Sequence, residues 1–416
     1  MSGLTVLDCN NFWSPTGGGV RRYHLEKLKY FCDRSEVKHV FVMPDTSTYQ
    51  EVLGQGVYIE HVRSIKEPGT DGYRYVLNRN ALRRVVNQHT PDIIEVGSPL
   101  FLPWLIRSVI RRTKPRPALV GFWHDDFPRT HLGRPARKFP PRIRESAEGL
   151  GWWWMRRTFA SFDAMFVASK RVGTNMRRHG LRTCYYTPLG VDIDRFDRVR
   201  RDPDIVGTVN AGADDRISIF FPHRLSDEKG LSTVIQAYPL LCEKLPHAPA
   251  LVFAGIGPGL GRVQEMARRY EHVRYLGYLE SADDLARWYA SSDIAVALSA
   301  FETFGLSAAE AMASGLARVG SDEGGAAELI EASGCGITVP YGNTEDFVSA
   351  VSTLASEGRL KERGRLGRSH VSRFTWEGTF RNELACYRDV LRYVNAGMDV
   401  PEGLHDLTSD ERRMVV

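Results

Sequence analysis

The sequence predicts an α/β chain of two parallel-sheet domains, and three observations carry that expectation. The chain has 416 residues, beyond the size at which one hydrophobic core usually stops growing, so two domains of roughly 150 to 200 residues follow. Short apolar, β-branched runs alternate with amphipathic helical stretches from end to end, the pattern of parallel α/β units. Residues 194–215 then carry alternating charges, Asp202-Pro203-Asp204 and several glycines, which reads as a linker with a hinge near residue 200. Together these describe two facing Rossmann-like domains, 1–199 and 200–375.

The elements follow in order. Runs 4–7, 39–43, 92–96, 119–122, 164–167 and 184–187 are expected to build the first sheet, and 217–221, 251–254, 273–276, 294–298, 317–320 and 337–339 the second. Helical periods cover 344–355, 360–372 and 376–394. Residues 396–416 show no clear apolar period and are expected to form a loosely attached tail.

Composition fits a globular enzyme, with 43% hydrophobic and 25% charged residues. No run approaches the roughly 18 apolar residues of a membrane span, and Leu4-Thr5-Val6-Leu7 is too short for the apolar part of a signal peptide. A cytoplasmic protein is therefore expected. Six cysteines are scattered without a Cys-x-x-Cys pair, which argues for reduced thiols rather than a zinc module or a disulfide framework. Charge is unevenly spread: residues 1–200 hold 33 Lys and Arg against 19 Asp and Glu, the remainder 22 against 31. A basic half suggests an anionic partner such as a lipid headgroup, a phosphorylated acceptor or nucleic acid. The last is not expected, because no RNP, finger or helix-turn-helix pattern accompanies the charge.

The most informative stretch begins Ser299-Ala300-Phe301-Glu302-Thr303-Phe304-Gly305-Leu306 and continues to Glu310, directly after a strand. It reads as a loop entering a helix, whose first amides around Phe304, Gly305 and Leu306 would face an anionic group. Glu302 and Glu310 offer carboxylates to hydroxyl groups, or else serve as a cap and a solvated side chain. A second constellation, Pro222-His223-Arg224-Leu225-Ser226-Asp227-Glu228-Lys229-Gly230, stands where open α/β sheets place ligands. Arg224 and Lys229 can converge on a diphosphate there, although such residues in a polar loop are more often simply solvated. A third, Phe122-Trp123-His124-Asp125-Asp126, ends a strand of the first domain and makes His124 a candidate. The fourth, Ser14-Pro15-Thr16-Gly17-Gly18-Gly19, precedes a helix; its glycines would let a phosphate or an acceptor approach the backbone. Arg21-Arg22 stands where a Walker loop needs Lys-Ser or Lys-Thr.

Thr187-Pro188-Leu189-Gly190-Val191-Asp192 with Phe196, the 224–230 loop, Ala254-Gly255-Ile256-Gly257-Pro258, the Glu302 to Glu310 stretch and Ser321-Asp322-Glu323-Gly324-Gly325 with Glu328 occur in one order. In that order the chain resembles glycosyltransferase family four, over nearly all of residues 1–395. Ala317, where such proteins often carry Pro, is a departure that touches only a strand entrance. The resemblance implies the GT-B fold, the E-x7-E signature and a last helix, 376–394, that returns to the first domain. It implies that Arg224 and Lys229 hold the donor diphosphate, Glu310 the ribose, and Glu302 the sugar hydroxyls. The amides of Phe304, Gly305 and Leu306 would contact the sugar or phosphate. His124 would sit over the sugar, and Gly17, Gly18 and Gly19 would lie near the phosphates and the acceptor.

The implied activity is retaining transfer of a hexose from a nucleotide-diphosphate sugar, UDP-hexose or GDP-mannose, to a lipid, lipid-linked or saccharide acceptor. A front-face course, with no metal or other cofactor, is expected. A sugar-nucleotide epimerase or phosphorylase on the same fold is the alternative. Metal-dependent transfer would need an Asp-x-Asp at a strand end, and Asp192-Ile193-Asp194 and Asp202-Pro203-Asp204 lie in the linker region instead. A dehydrogenase fails because Gly255-Ile256-Gly257-Pro258-Gly259-Leu260 lacks the last glycine of Gly-x-Gly-x-x-Gly. Finally, residues 134–157 join basic clusters to Trp152-Trp153-Trp154 and are expected to meet an anionic membrane on its inner face, the alternative being that the tryptophans pack in the core or line an acceptor pocket.

Overall fold

The computed structural model describes residues 3–15, 17–68, 72–210, 213 and 215–408. Two compact units result: residues 1–189 with 376–416, and residues 190–375. The first contains strands β1 (Leu4–Cys9), β2 (Val37–Asp45), β3 (Tyr49–Gly54), β4 (Val57–Arg63), β5 (Ile65–Lys66), β6 (Arg74–Tyr75), β7 (Ile93–Val96), β8 (Ala118–Phe122), β9 (Ala164–Val167) and β10 (Thr183–Tyr186). The second contains β11 (Ser218–Pro222), β12 (Ala250–Ala254), β13 (Val273–Tyr275), β14 (Ile294–Ala297), β15 (Ala317–Ser321) and β16 (Gly336–Val339). The chain ends its described part with β17 (Gly403–His405), back in the first unit.

Every strand expected from the sequence is present, because a strand covered on both faces by helices must be apolar on both faces. In the second unit the order is β13-β12-β11-β14-β15-β16, all parallel. Its core joins Phe221, Leu251, Val296 and Val319 to helix residues such as Val234, Phe347 and Leu354. The first sheet runs β17-β10-β9-β8-β7-β1-β2-β4-β3 and is parallel except for β3, which pairs antiparallel with β4. β3 and β4 were not expected: β3 is a mostly exposed edge strand, whose polar side chains resemble those of a loop. All six cysteines are free.

Two boundaries differ from the sequence reading. The division falls at Leu189 and Gly190, and the expected linker instead holds a helix, Pro203–Asn210, within the second unit. The expected loose tail is corrected in part, since Gly403–His405 pairs with β10 and His405 stacks on Tyr185 at 4.6 Å. The remainder of that expectation, residues 409–416, lies outside the described residues. The Trp376–Asn395 helix belongs to the first unit, where Thr379 and Asn382 donate to the carbonyls of Pro188 and Tyr186. Among the described residues no helix is long and apolar enough to cross a membrane.

Candidate active site

The second unit gathers its candidate residues at the C-terminal ends of β11, β12 and β14. β11 ends at Pro222, and the chain turns through a short 3-10 segment, Asp227–Lys229, closed by Gly230 at φ 83°. A side chain at that glycine would press a Cβ to 2.5 Å from Leu298, so the turn needs glycine on both counts. The loop is locked to the one after β12: the Leu225 amide donates to the Ile256 carbonyl, and the Gly259 amide to that of Leu225. A Cβ on Gly255 or Gly257 would collide with the backbone of His223 or Leu225, which accounts for the glycines of that segment.

Lys229 reaches across to Glu302, Nζ to Oε1 2.5 Å, with the two side chains 26% and 24% exposed. Partial burial tends to raise the Glu302 pKa, but Lys229 and then His223 outweigh it and hold the carboxyl below its ordinary range. His223 is pushed down to about 4 by burial, by Lys229 and by Arg318, and lies against the Val296 carbonyl at 2.6 Å. Arg224 is exposed on the same loop.

Glu302 precedes the helix Leu306–Ala313 rather than sitting on it. Its carbonyl accepts from the Gly325 amide, and a Cβ on Gly324 or Gly325 would clash with the carbonyls of Glu302 and Thr303. The two glycines thus let the start of the Gly324–Ser333 helix press against the loop and fix it. Gly305, at φ 94°, begins the Leu306–Ala313 helix, so that its first amides lack intrahelical partners. Phe304 is buried beneath, Leu306 and Glu310 are half-buried, and Glu310 lies close enough to raise the pKa of Tyr289 after burial. The second unit therefore presents Arg224, Lys229, Glu302 and Gly305 on adjoining strand-end loops, with Leu306 and Glu310 on the helix that follows.

In the first unit His124 follows β8. Its ring stacks on Phe122 at 4.2 Å and meets the edge of Tyr23 at 4.9 Å. Burial, with His24 contributing, keeps it well below its ordinary pKa, so the imidazole is neutral. The Gly17 amide bonds to the Ser14 carbonyl; Gly18, at φ −85°, and Gly19 are exposed at the start of the Gly19–Cys32 helix. Open space surrounds a Cβ built on Gly18, so no backbone contact demands glycine there. Thr16 lies outside the described residues.

Sequence reasoning missed what lies under His124. Lys27 is fully buried and pairs with Asp8 at 3.1 Å, Glu95 at 2.9 Å and Glu383 at 3.4 Å. Tyr23 and Tyr387 bond into the same cluster, and His24 and His39 flank Asp8. Burial raises Glu95 and lifts Glu383 to about 8, whereas Lys27 and His24 overcome burial to hold Asp8 low. The signal in the sequence was a carboxylate inside each of two apolar strands, Asp8 in β1 and Glu95 in β7.

The basic 134–157 segment is mainly helical, through Arg134–Ala136 and Pro141–Phe159. Its three tryptophans part company. Trp152 is buried, stacked between Trp123 at 5.6 Å and His179 at 4.2 Å, while Trp153 and Trp154 remain partly exposed. An interfacial role for Trp152 is thereby corrected to a core role.

The chain is similar to known proteins in sequence and in fold. The family model for Glycosyltransferase Family 4 matches residues 17–195, and that for Glycosyl transferases group 1 matches 209–369. A GDP-mannose-dependent alpha-(1-6)-phosphatidylinositol dimannoside mannosyltransferase of Mycobacterium tuberculosis is 29% identical over 92% of this chain and 95% of its own. A GDP-mannose-dependent alpha-mannosyltransferase of Corynebacterium glutamicum is 25% identical over 84% and 80%. In fold, sucrose-phosphate synthase from Thermosynechococcus elongatus superposes with a TM-score of 0.73 at 17% identity, covering 94% of this chain and 99% of that one. With both halves matched and the strand-end loops in place, the chain is a nucleotide-sugar glycosyltransferase of the GT-B fold and belongs to glycosyltransferase family four.

Proposed function

We propose that the protein transfers a hexose from a nucleotide-diphosphate sugar to a lipid or glycan acceptor, with retention and without a metal ion. The single observation that carries this reading is the Lys229–Glu302 pair beside Arg224, held by glycines against neighbouring loops yet open to solvent. Arg224 and Lys229 are suited to the diphosphate and to the charge it gains as it leaves. Once Lys229 turns to phosphate, the ionised Glu302 can accept hydrogen bonds from sugar hydroxyls. Glu310 is assigned to the ribose, the amides at Gly305 and Leu306 to anionic oxygens, and neutral His124 to a sugar hydroxyl.

The reaction breaks the bond from the anomeric carbon to the phosphate oxygen. A bond to the acceptor oxygen forms on the same face, and the acceptor proton passes to the departing phosphate. Such a course asks for positioning and leaving-group stabilisation rather than a protein nucleophile. GDP-mannose is the first donor to test, since both mannosyltransferase relatives are named for it. A panel of GDP- and UDP-sugars, read by thermal stabilisation and then by transfer in the presence of a chelator, tests the reading. Stabilisation by one donor with chelator-resistant transfer is expected; turnover restored only by manganese would overturn the metal-independent site.

A further inference from the structure

On the first unit, Leu77, Phe101, Trp104, Leu105, Trp154 and Arg157 line an apolar groove of about 460 Å³. We propose that this groove takes an acyl chain of an anionic phospholipid and so seats the protein on a bilayer surface. The inference extends the lipid-acceptor reading above and rests on it for its use.

Two observations point to that occupant. The first is the wall. Phe101 holds φ 61°, ψ −48°, a region bulky residues avoid, and the residue is 51% exposed. Water gives no reason to keep a phenyl ring there at such a backbone cost. Tyr75 braces the ring edge-on at 5.6 Å, and Trp104 and Trp154 meet at a tilt of 46° with centroids 6.2 Å apart, both partly exposed. Indole rings favour the boundary between hydrocarbon and water.

The second is charge. The groove's lining comes from Leu77, just before the Arg79–His89 helix, from the start of the Leu102–Ile110 helix, which packs on that helix, and from Trp154 and Arg157 of Pro141–Phe159. Residues 79–91, 97–117 and 149–162 contain no Asp or Glu. Arg83, Arg84, Arg107, Arg111, Arg112 and Arg157 lie in them, and none has a carboxylate partner among the described residues. Arg107 lies over Trp104 at 5.1 Å and Arg157 over Trp153 at 5.5 Å, so each guanidinium rides on an indole face. An apolar groove with Arg157 in its lining and Arg107 over Trp104 is complementary to a phospholipid with a negative headgroup, whose acyl chain takes the apolar part and whose charge meets the guanidinium groups.

The experiment is co-sedimentation with phosphatidylcholine vesicles, with and without phosphatidylglycerol, at low and high salt. Tryptophan quenching by phosphatidylglycerol brominated on its acyl chains accompanies it. Wild type should bind only the anionic vesicles and be quenched. The double variant Trp104→Ser/Trp154→Ser should bind at least about 10-fold more weakly at either salt. Arg107→Gln/Arg157→Gln should lose mainly the low-salt binding, and Phe139→Ser, elsewhere on the basic segment, should bind as wild type. Thermal melts and donor stabilisation confirm that the variants are folded. No vesicle binding by wild type, equal binding by the groove variant, or no quenching would overturn the proposal, and a groove that takes a peptide would give one of these. Vesicle binding with no sugar transfer from any donor would instead leave the groove standing and remove the glycosyl-transfer reading.

Discussion

Lys27 in the first unit and Lys229 in the second both hold carboxylates, under opposite conditions. Lys27 has no exposed surface and is shared by three carboxylates drawn from β1, β7 and the Trp376–Asn395 helix. Lys229 is a quarter exposed and pairs with Glu302 at the rim of a sheet. The difference is one of exchange. A sealed ion pair can change partner only if the core opens, so the Lys27 cluster holds elements together. A pair that water reaches can trade a carboxylate for a phosphate oxygen without opening the core, which is what the proposed donor site requires.

That contrast breaks most visibly by removing each cation. Lys27→Met would leave Asp8, Glu95 and Glu383 buried around a missing charge, and unfolding in urea should show a loss of about 3–5 kcal/mol. A loss under about 1 kcal/mol would mean that the cluster is not structural. If the variant does not accumulate, adding Asp8→Asn should restore part of the stability, because Asp8 is held low and stays ionised, so this change lowers the buried negative charge. Lys229→Ala should lower the urea midpoint much less than Lys27→Met, because a pair that keeps a quarter of its surface in water leaves Glu302 partly hydrated when the cation is removed. Its transfer rate should fall by roughly 100-fold, equivalent to about 2.7 kcal/mol. Near-normal transfer by folded Lys229→Ala and Glu302→Ala would sink the donor-site assignment.

Proton linkage sharpens the comparison. Glu383 is lifted to about 8 by burial, above its ordinary 4.5, so the folded protein keeps this proton while the unfolded chain has lost it. Stability should therefore decline as pH rises between those values, with this group adding at most about 1.4 kcal/mol per pH unit. Glu383→Gln should flatten that decline in melts from pH 5 to about 8; an unchanged slope would assign it to other groups. The smallest effect concerns Arg318 of β15, fully buried with no hydrogen bond to its guanidinium nitrogens among the described residues. Arg318→Met should stabilise the second unit by about 1 kcal/mol. Clear destabilisation would show that the guanidinium has a partner, such as a buried water.

Much of this was legible in the sequence because it is local. Parallel strands covered on both faces are apolar runs, so the places of Arg224, Lys229, Glu302 and Gly305 after such strands, and of Glu310 on the helix that follows, could be expected in advance. β3 escaped because Tyr49–Gly54 is an exposed edge without a buried apolar run, and β4 because Glu60, His61 and Arg63 interrupt its apolar residues. The tryptophan triplet escaped for a geometric reason: successive helix positions turn by about 100°, so three neighbours cannot share one face. Trp152 faces the core, and Trp154 faces the groove with Trp104.

By itself the sequence determined most of the parallel strands, the two α/β units, the family, and the chemical inventory of the strand-end loops, since each depends on residues close along the chain. Tertiary structure alone decided which charges are sealed and which are open. Asp8, Lys27, Glu95 and Glu383 belong to separate elements, and only folding brings them into one buried cluster. It also decided that Phe101, Trp104 and Trp154 share an apolar groove, because side chains from different helices meet only after the helices pack.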